Sequence, residues 1–145
     1  MLSGIIAAVS QRKFWDEDRI KRQVEQWVED ANKRLHARQP QLAHETNADN
    51  FRTMVLFSTP KQRTWLVADR WSVYCVLDDI RWEEPRVQWV AKPTEVQPRR
   101  AESDISPESG AVYFGEHGKD WLFSKDLFRG RDVVAAIQQF LTGAV

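Results

Sequence analysis

The chain has 145 residues, 42% of them hydrophobic and 29% charged, and its 21 basic side chains balance 21 acidic ones. That length fits one domain, able to bury roughly 68% of its unfolded surface without a metal or disulfide, and the apolar content excludes disorder throughout. A formal charge of zero argues against a dedicated duplex-binding protein, whose affinity comes largely from neutralising phosphates.

The first nine residues, Met1 to Val9, are apolar. They are too few to span a bilayer and lack the basic start of a secretory signal, so they are expected to pack on protein and the chain is not expected to be an integral membrane protein. A helix is predicted over Asp16 to Ala37, where Ile20, Val24, Trp27, Val28, Ala31 and Leu35 form one apolar stripe. Asp16, Glu17 and Asp18 open it and Lys33, Arg34 and Arg38 close it, an order that complements the helix dipole. Pro40 ends it, and Gln41 to Asn50 read as a polar connection.

Residues 51–124 are strand-rich. Phe51–Phe57, Thr64–Ala68, Trp71–Leu77, Arg86–Ala91, Ala111–Phe114 and Trp121–Phe123 are six short runs of β-branched and aromatic residues. Asp69-Arg70 joins the second and third runs as a hairpin, and Asp78-Asp79 reads as the polar end of that pair. Between the fourth and fifth runs, Gln97 to Ser109 has almost no apolar content and reads as a mobile surface loop. A second amphipathic helix is predicted over Asp132 to Thr142, with Val133, Ile137, Phe140 and Leu141 on one face, Asp132 as N-cap and Gly143 as terminator. The fold class expected is α+β: an antiparallel strand-rich sheet or partly open barrel, with a long N-terminal helix and a C-terminal amphipathic helix, in a single domain.

The hairpin Thr64–Ala68 with Val73–Leu77, and Trp121-Leu122-Phe123-Ser124 leading into Val133 to Leu141, resemble the pleckstrin-homology-like (PH-like) superfold over residues 51–145. That resemblance implies a bent barrel of about seven strands plugged by a C-terminal helix, with the N-terminal helix as an addition. It also implies a binding module, whose ligand is a protein segment or a phosphoinositide headgroup. Lipid-binding members place basic residues in the first strand–strand loop, and Lys61 and Arg63 fall there, with Arg70 at the next turn; such side chains supply charge-assisted hydrogen bonds to phosphate.

Seven tryptophans need a role. Trp65 and Val67 share a strand face, as do Trp71, Val73, Cys75 and Leu77, so most are expected in the core. Trp82 and Trp89 have charged neighbours and are candidates for an interface. Arginine alternating with exposed tryptophan on an OB-like barrel would instead suit single-stranded nucleic acid. The helix stripe Ile20, Val24, Trp27 and Leu35 would pack on the barrel or pair with a second copy in a homodimer.

Signs of catalysis are few. Asp78, Asp79, Glu83 and Glu84 could hold Mg²⁺, but the following strand, Gln88 to Lys92, offers no further acid, and the cluster reads as a polar turn. His36, His44 and His117 lack zinc-ligand spacing. The single cysteine, Cys75, lies in an apolar run, a poor setting for a thiolate, and a lone cysteine suits a reducing cytoplasm. The expectation is therefore a cytoplasmic, non-catalytic module with no metal or cofactor, binding a protein partner, with nucleic acid or anionic lipid as the alternative ligands.

Overall fold

The structure, a computed structural model, describes residues 12–35, 46–115 and 120–143, and of Leu35 it describes only the backbone. The apolar segment 1–9, the expected helix end at 36–37, Pro40 and His44, and the residues around His117 lie outside the described residues.

Helix α1 (Glu17–Leu35) begins after Asp16, whose carboxylate accepts the Arg19 N–H at 2.8 Å, a side-chain cap on an orphan donor. Two i,i+4 ion pairs support it, Lys21–Glu17 at 3.3 Å and Arg22–Asp18 at 2.9 Å. A 3-10 turn (Ala48–Asn50) follows and is tied back to α1, since the Ala48 N–H donates to Glu25 at 2.6 Å. Strands β1 (Arg52–Ser58), β2 (Gln62–Ala68), β3 (Val73–Asp79) and β4 (Arg86–Ala91) form one antiparallel sheet in sequence order. After a second 3-10 turn (Pro93–Glu95), strands β5 (Pro98–Arg100), β6 (Ser109–Phe114) and β7 (Asp120–Ser124) form a three-stranded antiparallel sheet. A single turn of helix, α2 (Lys125–Phe128), leads to α3 (Val133–Thr142). The protein is thus α+β with two separate sheets, and these are not closed into one hydrogen-bonded barrel.

The two central strands of the four-stranded sheet, β2 and β3, are buried on both faces, whereas β4 leaves Arg86, Gln88 and Val90 exposed. On one face Trp65, Val67, Tyr74 and Val76 meet Ile20, Val24 and Val28 of α1, with Trp27 at the edge. On the other, Leu56, Leu66, Ala68, Val73 and Cys75 meet Val112, Phe114 and Phe123 of the second sheet and Val133, Ala136 and Ile137 of α3. Each fully buried Ile or Val contributes about 1.5–3 kcal/mol, so both layers are integral to the fold. Ile20 and Val24 have no exposed surface. The expectation that they could serve a second copy is therefore corrected: their own sheet covers them, and a dimer using this stripe would have to displace it.

Two links hold the sheets together. The Ser58 N–H donates to the Ser124 hydroxyl at 2.9 Å, joining the ends of β1 and β7. Trp89 of β4, Phe114 of β6 and Trp121 of β7 form a stack with centroids 5.6 and 6.5 Å apart. Arg52 of β1 meets the far end of α3, donating from Nε to the Phe140 carbonyl at 3.1 Å, where a cation complements the helix dipole. Gly110 is required by close packing, because a Cβ there would lie 2.5 Å from the Phe123 ring.

Two expectations for this region are corrected. The segment read as a mobile loop contains β5, which pairs Pro98 with Phe114 and Arg100 with Val112; a proline is tolerated there because β5 is an edge strand. Asp78 and Asp79 are not an exposed polar end but belong to β3, with 0% and 1% of their surface exposed. Asp78 is satisfied by the segment before α1: Arg12 Nη2 pairs with it at 2.5 Å and the Trp15 N–H donates to it at 2.8 Å. Arg12 also donates from Nε to the Trp82 carbonyl at 2.8 Å. This cluster fixes the direction in which the chain enters α1.

Replacing Arg12 by Ala leaves the buried Asp78 carboxylate with the Trp15 amide, and the expected loss is about 3 kcal/mol of unfolding free energy by urea denaturation. A loss under about 1 kcal/mol would instead rank the pair with exposed ion pairs.

Candidate functional site

The residues proposed for phosphate binding do not converge. Lys61 is exposed in the β1–β2 turn. Arg63 is half-buried, with its guanidinium 4.5 Å from the Phe14 ring centroid. Arg70 lies in the β2–β3 turn, at the opposite end of β2, a strand roughly 20 Å long at about 3.3 Å per residue. It covers the Trp71 ring at 4.8 Å.

The tryptophans are mostly packing elements. Trp65 is buried, and Trp89 is stacked on Phe114 between the sheets rather than presented as an interface. Trp82 is half-buried beneath Arg86, whose guanidinium sits 4.1 Å from the ring centroid. Trp27 meets Tyr74 edge-on at 6.1 Å. Trp71 departs from the core expectation: it sits in the β2–β3 turn and is 51% exposed. The turn itself is shaped by buried Asp69, which accepts the Trp71 and Ser72 N–H groups, both at 2.8 Å.

The acidic cluster is divided by its partners. Asp78 is held by Arg12, while Asp79 accepts from Arg81 Nη2 at 2.5 Å, from Gln62 at 2.9 Å and from the Arg81 N–H at 2.9 Å. Hydrogen bonds from Arg81 hold the Asp79 carboxyl well below the usual carboxylate range, against the opposing effect of burial. Glu83 and Glu84 are exposed on the following turn. Among the described residues no group of three or more His, Cys, Asp or Glu side chains is arranged to hold a metal ion.

A concave site forms between β5, in the segment read as loop, and the start of α3. Its lining includes the cations Arg100, Lys125 and Arg131, the acid Asp132, and Phe123, Phe128 and Val133. Phe123 and Phe128 are buried beneath it and meet edge-on at 5.8 Å. Three elements supply the cations: Arg100 ends β5, Lys125 opens α2, and Arg131 follows the turn through Arg129 and Gly130, both with positive φ (42° and 83°). Asp104 bridges two of these cations, accepting from Arg100 Nη2 at 2.7 Å and from Lys125 Nζ. Lys125 first, then Arg100, holds the Asp104 carboxyl below its ordinary range. Arg131 donates from Nε to the Phe128 carbonyl at 3.4 Å, which directs it along the rim. At the sheet edge, β5 has β6 on one side only, and its outward-facing main chain is that of Pro98, which has no N–H, and of Arg100. Arg99 and Arg100 were the signal in the sequence, but composition placed them in a loop.

No family model matches the chain, and neither a curated protein nor a solved structure matches it. No helix among the described residues is long and apolar enough to cross a membrane.

The Asp79 site has a pH signature. Its folded-state carboxyl is depressed, so its contribution to stability is complete above the unfolded value of about 3.9 and is lost as pH falls through the lower folded value. The wild-type chain is expected to lose stability below about pH 4, and Asp79→Asn to lose less of it on acidification. Denaturant midpoints measured from pH 7 down to pH 3 check this; identical slopes for both chains would remove Asp79 from the acid response.

Proposed function

We propose that the chain is a non-catalytic, PH-like binding module that holds an acidic protein segment in the groove between β5 and the start of α3. The observation that carries this reading is the groove itself: an unpaired strand edge beside a terminal helix, with an aromatic floor and a rim of Arg100, Lys125 and Arg131. The order of four antiparallel strands, three antiparallel strands and a C-terminal helix supports the PH-like part.

An extended segment can lie beside β5, where the Arg100 N–H and the Pro98 and Arg100 carbonyls are the outward main-chain groups, so that side-chain contacts carry most of the recognition. Its apolar side chains would meet Phe123, Phe128 and Val133. Its acids would meet a rim on which Asp104 already marks how a carboxylate sits between Arg100 and Lys125. Phosphoinositide binding draws less support, because Lys61, Arg63 and Arg70 do not converge on one point. Single-stranded nucleic acid draws less support as well, since most of the tryptophans needed for a stacking platform are engaged in packing.

Panning a random peptide display library on the full chain is expected to enrich sequences rich in Asp and Glu. Arg100→Glu with Arg131→Glu is expected to weaken a selected peptide roughly tenfold, about 1.4 kcal/mol. Selection without acidic preference, or unchanged affinity in the double variant, would overturn the proposal.

A further inference from the structure

The outer faces of the two sheets are treated differently. That of β2 and β3 is covered by α1, although Val90 of β4 stays exposed. That of β5–β7 has no helix or sheet packed over it among the described residues: Ala111 at its centre is buried, but Tyr113 is 37% exposed and Leu122 40%. Ile105, from the loop that folds back beside Ala111, is 64% exposed and lines the same shallow surface as Ala111 and Tyr113. These are three of the six large exposed hydrophobics among the described residues.

The cross-strand register orders this face into two rows. One runs Arg99, Tyr113, Asp120 across β5, β6 and β7. The other runs Ala101, Ala111, Leu122, with Ile105 on the β5 side: Ala101 donates its N–H to the Ala111 carbonyl at 2.9 Å, and Ala111 pairs with Leu122. The first row therefore reads cation, aromatic, anion. Among the described residues neither Arg99 nor Asp120 belongs to an ion pair, and the two strand spacings between them amount to about 10 Å.

We propose that this face is a self-association surface, on which two copies pack face to face about a two-fold axis running along β6. The occupant is a second copy because the face is complementary to itself under that operation. A rotation about β6 exchanges the β5 and β7 sides, so Arg99 of each copy meets Asp120 of the other and Tyr113 meets Tyr113. In the second row Ile105 and Ala101 of each copy meet Leu122 of the other. A two-fold axis across the strands would instead set Arg99 against Arg99 and Asp120 against Asp120, so charge selects one geometry. Three strands at about 4.8 Å by six residues make a face of roughly 300 Å². That is well under the roughly 800 Å² per partner of a standard stable interface, so the dimer is weak and reversible.

Sedimentation velocity of the full chain over a concentration series tests this. The weight-average mass is expected to rise from monomer toward dimer. Arg99→Asp alone and Asp120→Arg alone should each weaken association at least about tenfold, since each sets like charges opposite one another. The double exchange should restore association, and Leu122→Lys should weaken it without touching either charge. Circular dichroism should find all four variants folded, as the altered side chains are exposed. A chain that stays monomeric up to about 1 mM would overturn the proposal. So would single reversals that leave association unchanged, or a double exchange no stronger than the singles.

Discussion

Strands β2 and β3 must exclude water from both faces, and the rest of the structure depends on that constraint. In β2 every residue from Thr64 to Ala68 is buried, and in β3 every residue from Val73 to Val76. Alternate side chains point to opposite faces of a strand, so such runs need two covering layers. Helix α1 supplies one, and the β5–β7 sheet with α3 supplies the other. The amphipathic stripe of α1 and the apolar face of α3 are answers to the same demand from opposite sides.

Double burial also explains the polar cluster at the end of β3. Where the strand runs on beneath the segment before α1, Asp78 loses its water, and a carboxylate in that position is tolerable only with charge and hydrogen bonds in compensation. Arg12 and the Trp15 amide supply them. Asp79, one residue on, is compensated locally by Arg81 and Gln62. Of the acids that resembled a metal site in isolation, Asp78 and Asp79 are therefore spent on holding the entry of α1 and the β3–β4 turn.

The second sheet is smaller and less covered, and the chemistry left over gathers there. Its inner face closes on the Trp89–Phe114–Trp121 stack, while the edge at β5 opens on the aromatic and basic groove. The groove belongs to the mouth between β5 and α3, and the apolar rows belong to the outer face, so peptide capture and self-association would use different surfaces of the same three strands. Arg99 and Arg100 are divided between them by the alternation of a single strand.

Much of the architecture was legible in the amino-acid order, because local periodicity is a local property. The stripe from Ile20 to Ala31, the hairpin across Asp69-Arg70 and the Asp132 N-cap of α3, which accepts the Val134 N–H at 3.0 Å, need only neighbouring residues to define them. The candidate site was not legible. Pro98-Arg99-Arg100 has the composition of a loop and becomes a strand only by pairing with Val112, Tyr113 and Phe114. Arg63 and Arg70 look close in sequence and are set apart by the length of β2. Asp78 looks exposed until Arg12, 66 residues away, covers it. The sequence by itself determined most of the helices and strands, β5 excepted, and which of their faces are apolar. Only the tertiary structure decided which charges are buried, which cations share a groove and which apolar face is left open, because those depend on residues brought together from distant parts of the chain.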